Sequence, residues 1–186
     1  MGQLKHLLSF ITIITAVSFI SESKAVQLNE QKFAFESAIL LLDTHATFNG
    51  VRVRAAKYYF DIELPSDIGE PLGKIVIKQR SGGDEIKFKP EKTKAYLGNH
   101  RQKQSEIELD TIYDEDTGTV TIKFPQPISP GNNLTISLKP KRNPDYGGVY
   151  LFGVTAFPPG EESPGLYLGA GRFHFYKGDS FYGAGY

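Results

Sequence analysis

The chain has no cysteine and no tryptophan, and its only methionine is Met1. Without cysteine the protein has no disulfide bond, no zinc–thiolate site and no thiol nucleophile. It also has no thiol that could carry the lipid of a bacterial lipoprotein. Thioether ligation of Cu(I) by methionine is absent from the mature chain as well. A folded domain of this composition must therefore be stabilised by the packing of its apolar side chains.

An excess of either charge is lacking too, because 21 Lys and Arg residues balance 21 Asp and Glu residues. Nucleic-acid binding needs clustered cationic charge, so nothing in the composition favours that class of partner. Common catalytic motifs are also missing from the sequence: the G-x-S-x-G elbow, the H-E-x-x-H zinc motif and the phosphate-binding loop. We therefore predict a protein that is not an enzyme, with no catalytic residue and no cofactor.

The first 25 residues have the pattern of a secretory signal peptide. A short basic start precedes an apolar run over residues 7–20, and residues 23–25 (Ser-Lys-Ala) form a small-x-small cleavage site. The apolar run is shorter than the roughly 20 residues of a membrane span. We expect cleavage after Ala25, no stable membrane span afterwards, and export to the periplasm, cell envelope or extracellular space. A retained signal anchor is the alternative.

Residues 26–176 are enough for one domain with a buried core, and they consist of short segments in which apolar and polar residues alternate. A period of two is typical of strands with one face on the core and one in water. The alternating segments are 57–64, 74–78, 85–89, 106–110, 119–124, 133–139 and 167–176. Turn signals such as Asp116-Thr117-Gly118 separate them. The pattern predicts a single all-β domain, an immunoglobulin-like antiparallel β-sandwich.

Three stretches depart from simple alternation. Residues 149–157 (VYLFGVTAF) are apolar at both parities, which predicts a central strand covered on both faces. In that stretch Tyr150 takes the place of the tyrosine whose hydroxyl ties a strand to the preceding loop in immunoglobulin-like sandwiches, and Phe152 stands where antibodies have cysteine. Residues 90–104 are polar and are predicted to form a long mobile connection. Residues 177–186 are a Gly- and Tyr-containing tail.

Several motifs give the chain a resemblance to a known family. In chain order they are Tyr59-Phe60 to Leu64-Pro65, Gly69-Glu70-Pro71-Leu72, Ser129-Pro130-Gly131, Arg142-Asn143-Pro144, the block 147–158 (GGVYLFGVTAFP), and Tyr167-Leu168-Gly169 to Arg172-Phe173-His174-Phe175-Tyr176. Over about residues 32–176 the chain resembles a cyanobacterial family of exported proteins known only as a domain of unknown function (number twenty-eight-oh-eight). The resemblance implies export and a compact β-rich domain. It implies no activity, cofactor or catalytic residue.

Part of the 142–176 block is not explained by packing in a strand core. The residues concerned are Arg142, Asn143, Arg172, His174 and Tyr176. We predict that they contribute to a binding site of a non-catalytic module, in the envelope or extracellular space, whose partner is a protein or a polysaccharide. Spare tyrosines favour this interpretation, since a tyrosine combines an aromatic face with a hydroxyl that needs water or a partner. A concave site is expected if three loops meet at one end of the sandwich: 65–73, 142–148 and 158–166.

The histidines suggest an alternative function, a periplasmic carrier of copper or zinc. The mature chain has three of them, His45, His100 and His174. Imidazole is a suitable ligand for Cu(II) and Zn(II). No two of these histidines lie within ligand spacing along the sequence, so the sequence alone does not assign a metal site.

Overall fold

Two antiparallel five-stranded sheets make up the part of the chain that this computed structural model describes, residues 34–177. The strands are β1 (Leu40–Ala46), β2 (Tyr58–Leu64), β3 (Leu72–Ser81), β4 (Lys94–Leu97), β5 (Glu106–Ile107), β6 (Asp110–Asp114), β7 (Thr119–Ile128), β8 (Asn132–Leu138), β9 (Gly148–Phe157) and β10 (Leu166–Phe175). The first sheet has the order β1-β2-β8-β4-β5, and the second has the order β10-β9-β3-β7-β6. The predicted signal peptide and all but the first residue of the predicted tail lie outside the described residues.

Helix is scarce in this range. A single 3-10 turn over Pro90–Lys92 is present among residues 34–177. No helix in that part of the chain has the length and apolarity that a membrane crossing requires.

The two sheets pack face to face around one apolar core. Alternate residues of each strand point inward, and they include Tyr58, Phe60, Ile62, Ile75, Ile77, Val120, Ile122, Leu134, Ile136, Leu138, Tyr150, Phe152, Val154, Phe173 and Phe175. The ring of Phe152 on β9 lies 6.2 Å from that of Tyr58 and 6.4 Å from that of Phe60, both on the opposing sheet. Burial of one such side chain contributes roughly 1.5–3 kcal/mol. Packing of this kind stabilises a sandwich that has no disulfide bond.

The predicted immunoglobulin-like sandwich is confirmed, and Tyr150 has the local role expected for it. Its hydroxyl donates to the carbonyl oxygen of Tyr146 at 2.9 Å and also contacts the carboxylate of Asp84. The other carboxylate oxygen of Asp84 accepts a hydrogen bond from the backbone N–H of Asp145 at 2.8 Å. Burial, together with the neighbouring Asp84, raises the pKa of Tyr150 to about 12. The start of β9 is thereby tied to the loop that precedes it.

The segment 90–104 is ordered by pairing, in contrast to the predicted mobile connection. Its β4 residue Ala95 pairs with Ile136 of β8, deep in the first sheet. The following residues 98–105, which we call the cover loop, fold over the outer face of that sheet and are held by a backbone hydrogen bond from Gly98 to Asn133 at 2.8 Å. The predicted strand at 85–89 is also absent, and an isolated bridge between Phe88 and Pro140 takes its place.

The outer faces of the two sheets differ, and this was not predicted. Under the cover loop, the outward-pointing Asp61 of β2 is only 4% exposed. On the second sheet β9 is central, between β10 and β3, as predicted. Its outward residues Val149, Leu151 and Phe157 nevertheless keep contact with solvent, because no described segment lies over them. Within residues 34–177, the cover loop therefore covers part of the outer face of the first sheet, and no segment covers that of the second.

Candidate functional site

The three loops that were expected to form a site do not meet. Loops 65–73 and 158–166 lie together, since a Cβ added to Gly73 would come within 2.8 Å of the backbone nitrogen of Pro159. Loop 142–148 precedes β9, whereas loop 158–166 follows it. The ten residues of β9 span about 30 Å at ~3.3 Å per residue. Loop 142–148 is therefore at the opposite end of the sandwich, and the expected loop-end site is not formed.

Arg142 and Asn143, two of the predicted binding residues, make contacts within the protein. Asn143 is fully buried. Its Oδ1 accepts a hydrogen bond from the hydroxyl of Tyr58 at 2.9 Å, and its Nδ2 donates to the carbonyl oxygens of Phe48 and Gly50 at 2.8 and 2.7 Å. Arg142 is exposed and forms an ion pair with Asp145 at 2.7 Å. The interior location of Asn143 corrects its assignment to a binding surface, because no partner can reach it.

The other three predicted residues, Arg172, His174 and Tyr176, are brought together. All three are exposed, with Arg172 and His174 on β10 and Tyr176 directly after it, and Arg172 Nε donates to His174 Nε2 at 2.8 Å. They line a shallow depression of about 260 Å³ at the edge where β10 approaches β1. His45 of β1 lines the same depression, so this edge connects the predicted binding residues with one of the three histidines.

A histidine cluster lies on the covered outer face of the first sheet. β-Pairing places His45 opposite Tyr59 and Asp43 opposite Asp61, and the cover loop brings His100 over them. The imidazole centroids of His45 and His100 are 4.0 Å apart. One ligand atom from each of Asp43, His45 and His100 lies within 4.8 Å of the other two. His174 is not part of this group. The cluster therefore contains two of the three histidines of the predicted alternative function, His45 and His100, together with Asp43.

Hydrogen bonds to a buried carboxylate fix this cluster. Asp61 accepts from the hydroxyl of Thr135 at 2.7 Å and from the backbone N–H of His100 at 3.2 Å. Its second oxygen contacts Nδ1 of His100, which leaves the Nε2 atom of that ring directed away from the carboxylate. Burial lowers the pKa of His45, and the neighbouring His100 adds to the effect.

The open face of the second sheet has a mixed aromatic and cationic surface. We use the name "open face" for the outward residues Lys74, Val76, Lys78, Arg80, Asp110, Ile112, Asp114, Thr119, Thr121, Lys123, Val149, Leu151, Gly153, Thr155, Phe157, Tyr167, Arg172 and His174. One cross-strand row runs over the five strands from Tyr167 through Thr155, Val76 and Thr121 to Ile112. Both ends of the row are well exposed.

Tyr167 has a defined position on this face. A Cβ added to Gly153 would lie 3.2 Å from Cε2 of Tyr167 and 3.1 Å from Cγ of Arg80. The tyrosine ring and the arginine stem therefore lie over the backbone of Gly153, where any larger side chain would displace them. Tyr167 remains 55% exposed, so one ring face is available to a ligand. The Tyr167 ring and the Arg80 side chain are therefore neighbours on the outer face of the second sheet.

Cations outnumber carboxylates on the open face by five to two. The cations are Lys74, Lys78, Arg80, Lys123 and Arg172, and the carboxylates are Asp110 and Asp114. Between residues 34 and 177, none of the five cations forms an ion pair with a carboxylate. Because the whole chain has no net charge, this surplus is a local property of the face.

A cleft of about 580 Å³ extends the open face at the end where loops 65–73 and 158–166 lie. Lys74, Lys123 and Asp110 are on its wall, and Glu161 adds a second carboxylate. The ammonium group of Lys74 lies 4.2 Å from the ring centre of Phe157. The sequence signal for this surface was the apolar residues at both parities of 149–157, which the prediction attributed to burial.

Comparisons with known proteins give a family but no activity. A family described as Protein of unknown function (DUF2808) matches residues 32–175. No curated protein matches the chain.

Solved structures with a similar fold come from bacterial surface proteins. The collagen-binding domain from a Staphylococcus aureus adhesin is 10% identical with a TM-score of 0.37, and the match covers 66% of this chain and 87% of that one. The collagen adhesin CNA from S. aureus is 11% identical with a TM-score of 0.43, covering 73% of this chain and 49% of that one. The pilus 2b backbone protein of group B streptococcus is 10% identical with a TM-score of 0.43, covering 69% and 56%. This chain thus spans about half of the latter two, and scores below 0.5 carry no conclusion about what it binds.

Proposed function

The chain belongs to that family of unknown function, and we propose that it is a non-catalytic binding module of the cell envelope or extracellular space that binds an acidic polysaccharide through its open face. The location rests on the predicted signal peptide. The observation that carries the binding function is the exposed side chain of Tyr167, which lies against Gly153 beside Arg80 on a face whose five cations form no ion pair within residues 34–177.

The cross-strand row from Tyr167 to Ile112, together with the neighbouring Phe157, supplies one part of the recognition. A sugar ring has apolar C–H faces that stack on an aromatic side chain, and its hydroxyls need polar neighbours. Tyr167 and Phe157 offer aromatic surface on adjacent strands, and Thr155 and Thr121 offer hydroxyls in the same region. Neighbouring strands are ~4.8 Å apart, so the row from Tyr167 to Ile112 crosses about 19 Å and can contact several successive sugar units.

The cations supply the other part. Lys74, Lys78 and Lys123 extend from β3 and β7 without carboxylate partners in the described residues. An acidic polymer laid across the strands would meet Lys74 and Lys123, which are opposite each other on β3 and β7, and Lys78 lies four residues farther along β3. Protein interfaces have cores that are depleted of charge, whereas here the lysines are interleaved with the apolar residues. An extended anionic glycan fits this distribution better than a protein partner does.

Binding to polygalacturonate, an acidic polysaccharide, tests the proposal, with its fully methyl-esterified form as the uncharged control. We expect the acidic form alone to bind, with an affinity that falls as salt rises. Tyr167→Ala should weaken binding at least about fivefold, which corresponds to about 1 kcal/mol. Lys123→Ala should weaken it and reduce the salt dependence. Lys92→Ala, which removes the same charge from an exposed residue of the 3-10 turn that is not part of the open face, is the matched control.

Three outcomes would overturn the proposal. Equal binding of the esterified polymer would show that the cations are not used. Equal losses in Lys92→Ala and Lys123→Ala would reduce the effect to nonspecific charge attraction. Tighter binding to poly-glutamate, unaffected by Tyr167→Ala, would identify an acidic protein segment as the partner in place of a polysaccharide.

A further inference from the structure

We propose that Asp43, His45 and His100 form a binding site for a divalent transition-metal ion of the Zn²⁺ or Cu²⁺ type, on the outer face of the first sheet. Two imidazoles and one carboxylate are a donor set that suits both ions. The site links β1, which provides Asp43 and His45, to the cover loop, which provides His100.

The spacing of the donor atoms is near that of a coordination sphere. Metal–ligand distances of ~2.0–2.1 Å in a tetrahedral site place neighbouring ligand atoms about 3.4 Å apart. Nδ1 of His45 and Oδ2 of Asp43 are 3.5 Å apart. All three donors lie within 4.8 Å of one another, which is at most about 1.4 Å more than this spacing. A water or a ligand from outside would complete four-fold coordination.

Nδ1 of His45 lacks any other partner. This atom is buried, and no hydrogen-bond partner for it exists among residues 34–177. The 3.5 Å contact with Asp43 is longer than the usual 2.7–3.2 Å of a hydrogen bond. A buried polar atom without a partner is destabilising. A metal ion between this nitrogen and the carboxylate would satisfy both atoms.

Asp61 has the geometry of an outer residue that orients a metal ligand. Its carboxylate contacts Nδ1 of His100, which leaves Nε2 of that ring as the donor atom. Metal-binding histidines commonly donate their second ring nitrogen to a carboxylate, which fixes the ring and makes the other nitrogen more basic. Asp61 is itself held by Thr135. It is therefore a positioning residue, not a ligand.

One cation competes with the metal for His100. Nε of Arg101 donates to Nε2 of His100 at 3.3 Å, so this contact must open before a metal ion binds. Arg101 is exposed and has no carboxylate partner in the described range, so it can move into solvent. Removal of its side chain should therefore tighten metal binding, a result that a merely structural cluster would not produce.

Calorimetric titration of the purified protein with ZnCl₂ and CuCl₂ tests the proposal, with MgCl₂ as a hard-cation control. We expect one Zn²⁺ or Cu²⁺ per chain and no Mg²⁺. Asp43→Asn and His45→Ala change side chains that reach the surface, so the fold should survive, and each should weaken binding at least tenfold. Arg101→Ala should strengthen it. His174→Ala, which removes a histidine outside the cluster, should leave the affinity unchanged.

Spectroscopy and stability give independent readouts. The Cu²⁺ electron paramagnetic resonance spectrum should show two nitrogen ligands in the wild type and one in His45→Ala. Zn²⁺ should raise the melting temperature of the wild type but not that of His45→Ala, because an ion that binds only the folded state stabilises it. Wild-type affinity no tighter than that of His45→Ala would overturn the proposal. An equal loss in His174→Ala would also overturn it, because the ligands would then lie elsewhere.

Discussion

Asn143 connects three parts of the chain at one end of the sandwich, and its replacement is the sharpest test of how that end is held. Its amide group bonds the hydroxyl of Tyr58 on β2 and the carbonyl oxygens of Phe48 and Gly50 in the β1–β2 connection. Its own backbone N–H donates to the carbonyl oxygen of Val53 at 2.8 Å. The side chain is fully buried, so water does not replace these bonds in the native state.

We expect Asn143→Ala to lower the free energy of unfolding by about 3–4 kcal/mol. The substitution removes three side-chain hydrogen bonds and leaves one hydroxyl and two carbonyl oxygens without partners. A buried group left unsatisfied costs about 1–3 kcal/mol, and the lower values apply to Phe48, whose side chain is half exposed and whose carbonyl can reach water. For a domain of this size, each kcal/mol lowers the melting temperature by about 2–4 °C. The expected decrease is therefore about 6–16 °C.

Urea unfolding followed by circular dichroism measures this loss. Tyr58→Phe removes only the hydroxyl and should cost about 1–2 kcal/mol. The double variant should be less destabilised than the sum of the single variants by about 1 kcal/mol, because both remove the same bond. Arg142→Ala, in the adjacent exposed position, is the control and should stay within about 1 kcal/mol of wild type. A loss of less than about 1 kcal/mol in Asn143→Ala would refute the assignment of this residue to the interior network.

Two further predictions concern Tyr150 and Gly171. In the folded protein the pKa of Tyr150 is raised to about 12, above its ordinary 10.0, so the unfolded chain loses this proton at a lower pH. The contribution of Tyr150 to the free energy of unfolding is therefore fully present below pH 10 and is lost as the pH rises toward 12. Urea unfolding between pH 9 and 12 should show a shallower decline for Tyr150→Phe, and equal slopes would contradict the reasoning. Gly171→Ala should cost about 1–3 kcal/mol, because the added Cβ would lie 2.5 Å from Cγ2 of Thr44 on β1. Ala170→Thr at the exposed neighbouring position is its control, and an unfolding midpoint equal to wild type in Gly171→Ala would show that β1 and β10 can separate freely.

The fold could be predicted because its signals are local. Alternation in segments such as 57–64 and 133–139 depends only on which residues share a face, and both became strands of the first sheet. The tyrosine contact of Tyr150 also spans only four residues. By contrast, β4 was missed because residues 94–97 are a short strand in a polar stretch, and their pairing with β8 is set by partners about forty residues away.

The histidine cluster could not be predicted from spacing, because its members are 55 residues apart in sequence and meet through the cover loop. The only sequence trace of it is the polar residue Asp61 in a strand whose other face is fully apolar. Such a residue is ordinarily read as solvent-facing. It is buried here because Thr135 and the cover loop satisfy its carboxylate with hydrogen bonds, which makes burial of a charged group tolerable.

Hydrogen bonding of buried polar groups also explains why the outer faces of the two sheets differ, and the difference indicates where a partner would bind. A polar outer face can be buried when each of its groups finds a hydrogen bond, as Asp61 does, so polarity on a strand does not prove contact with water. An apolar outer face left open carries a continuing free-energy cost of roughly 25 cal/mol for each Å² of apolar surface in water. Leu151 and Phe157 retain such surface on β9, where Leu151 lies opposite Arg172 and Phe157 lies opposite Lys74, and neither cation forms an ion pair within residues 34–177. Exposed apolar side chains interleaved with cations favour the proposed anionic ligand, which would cover this surface and neutralise its charge together.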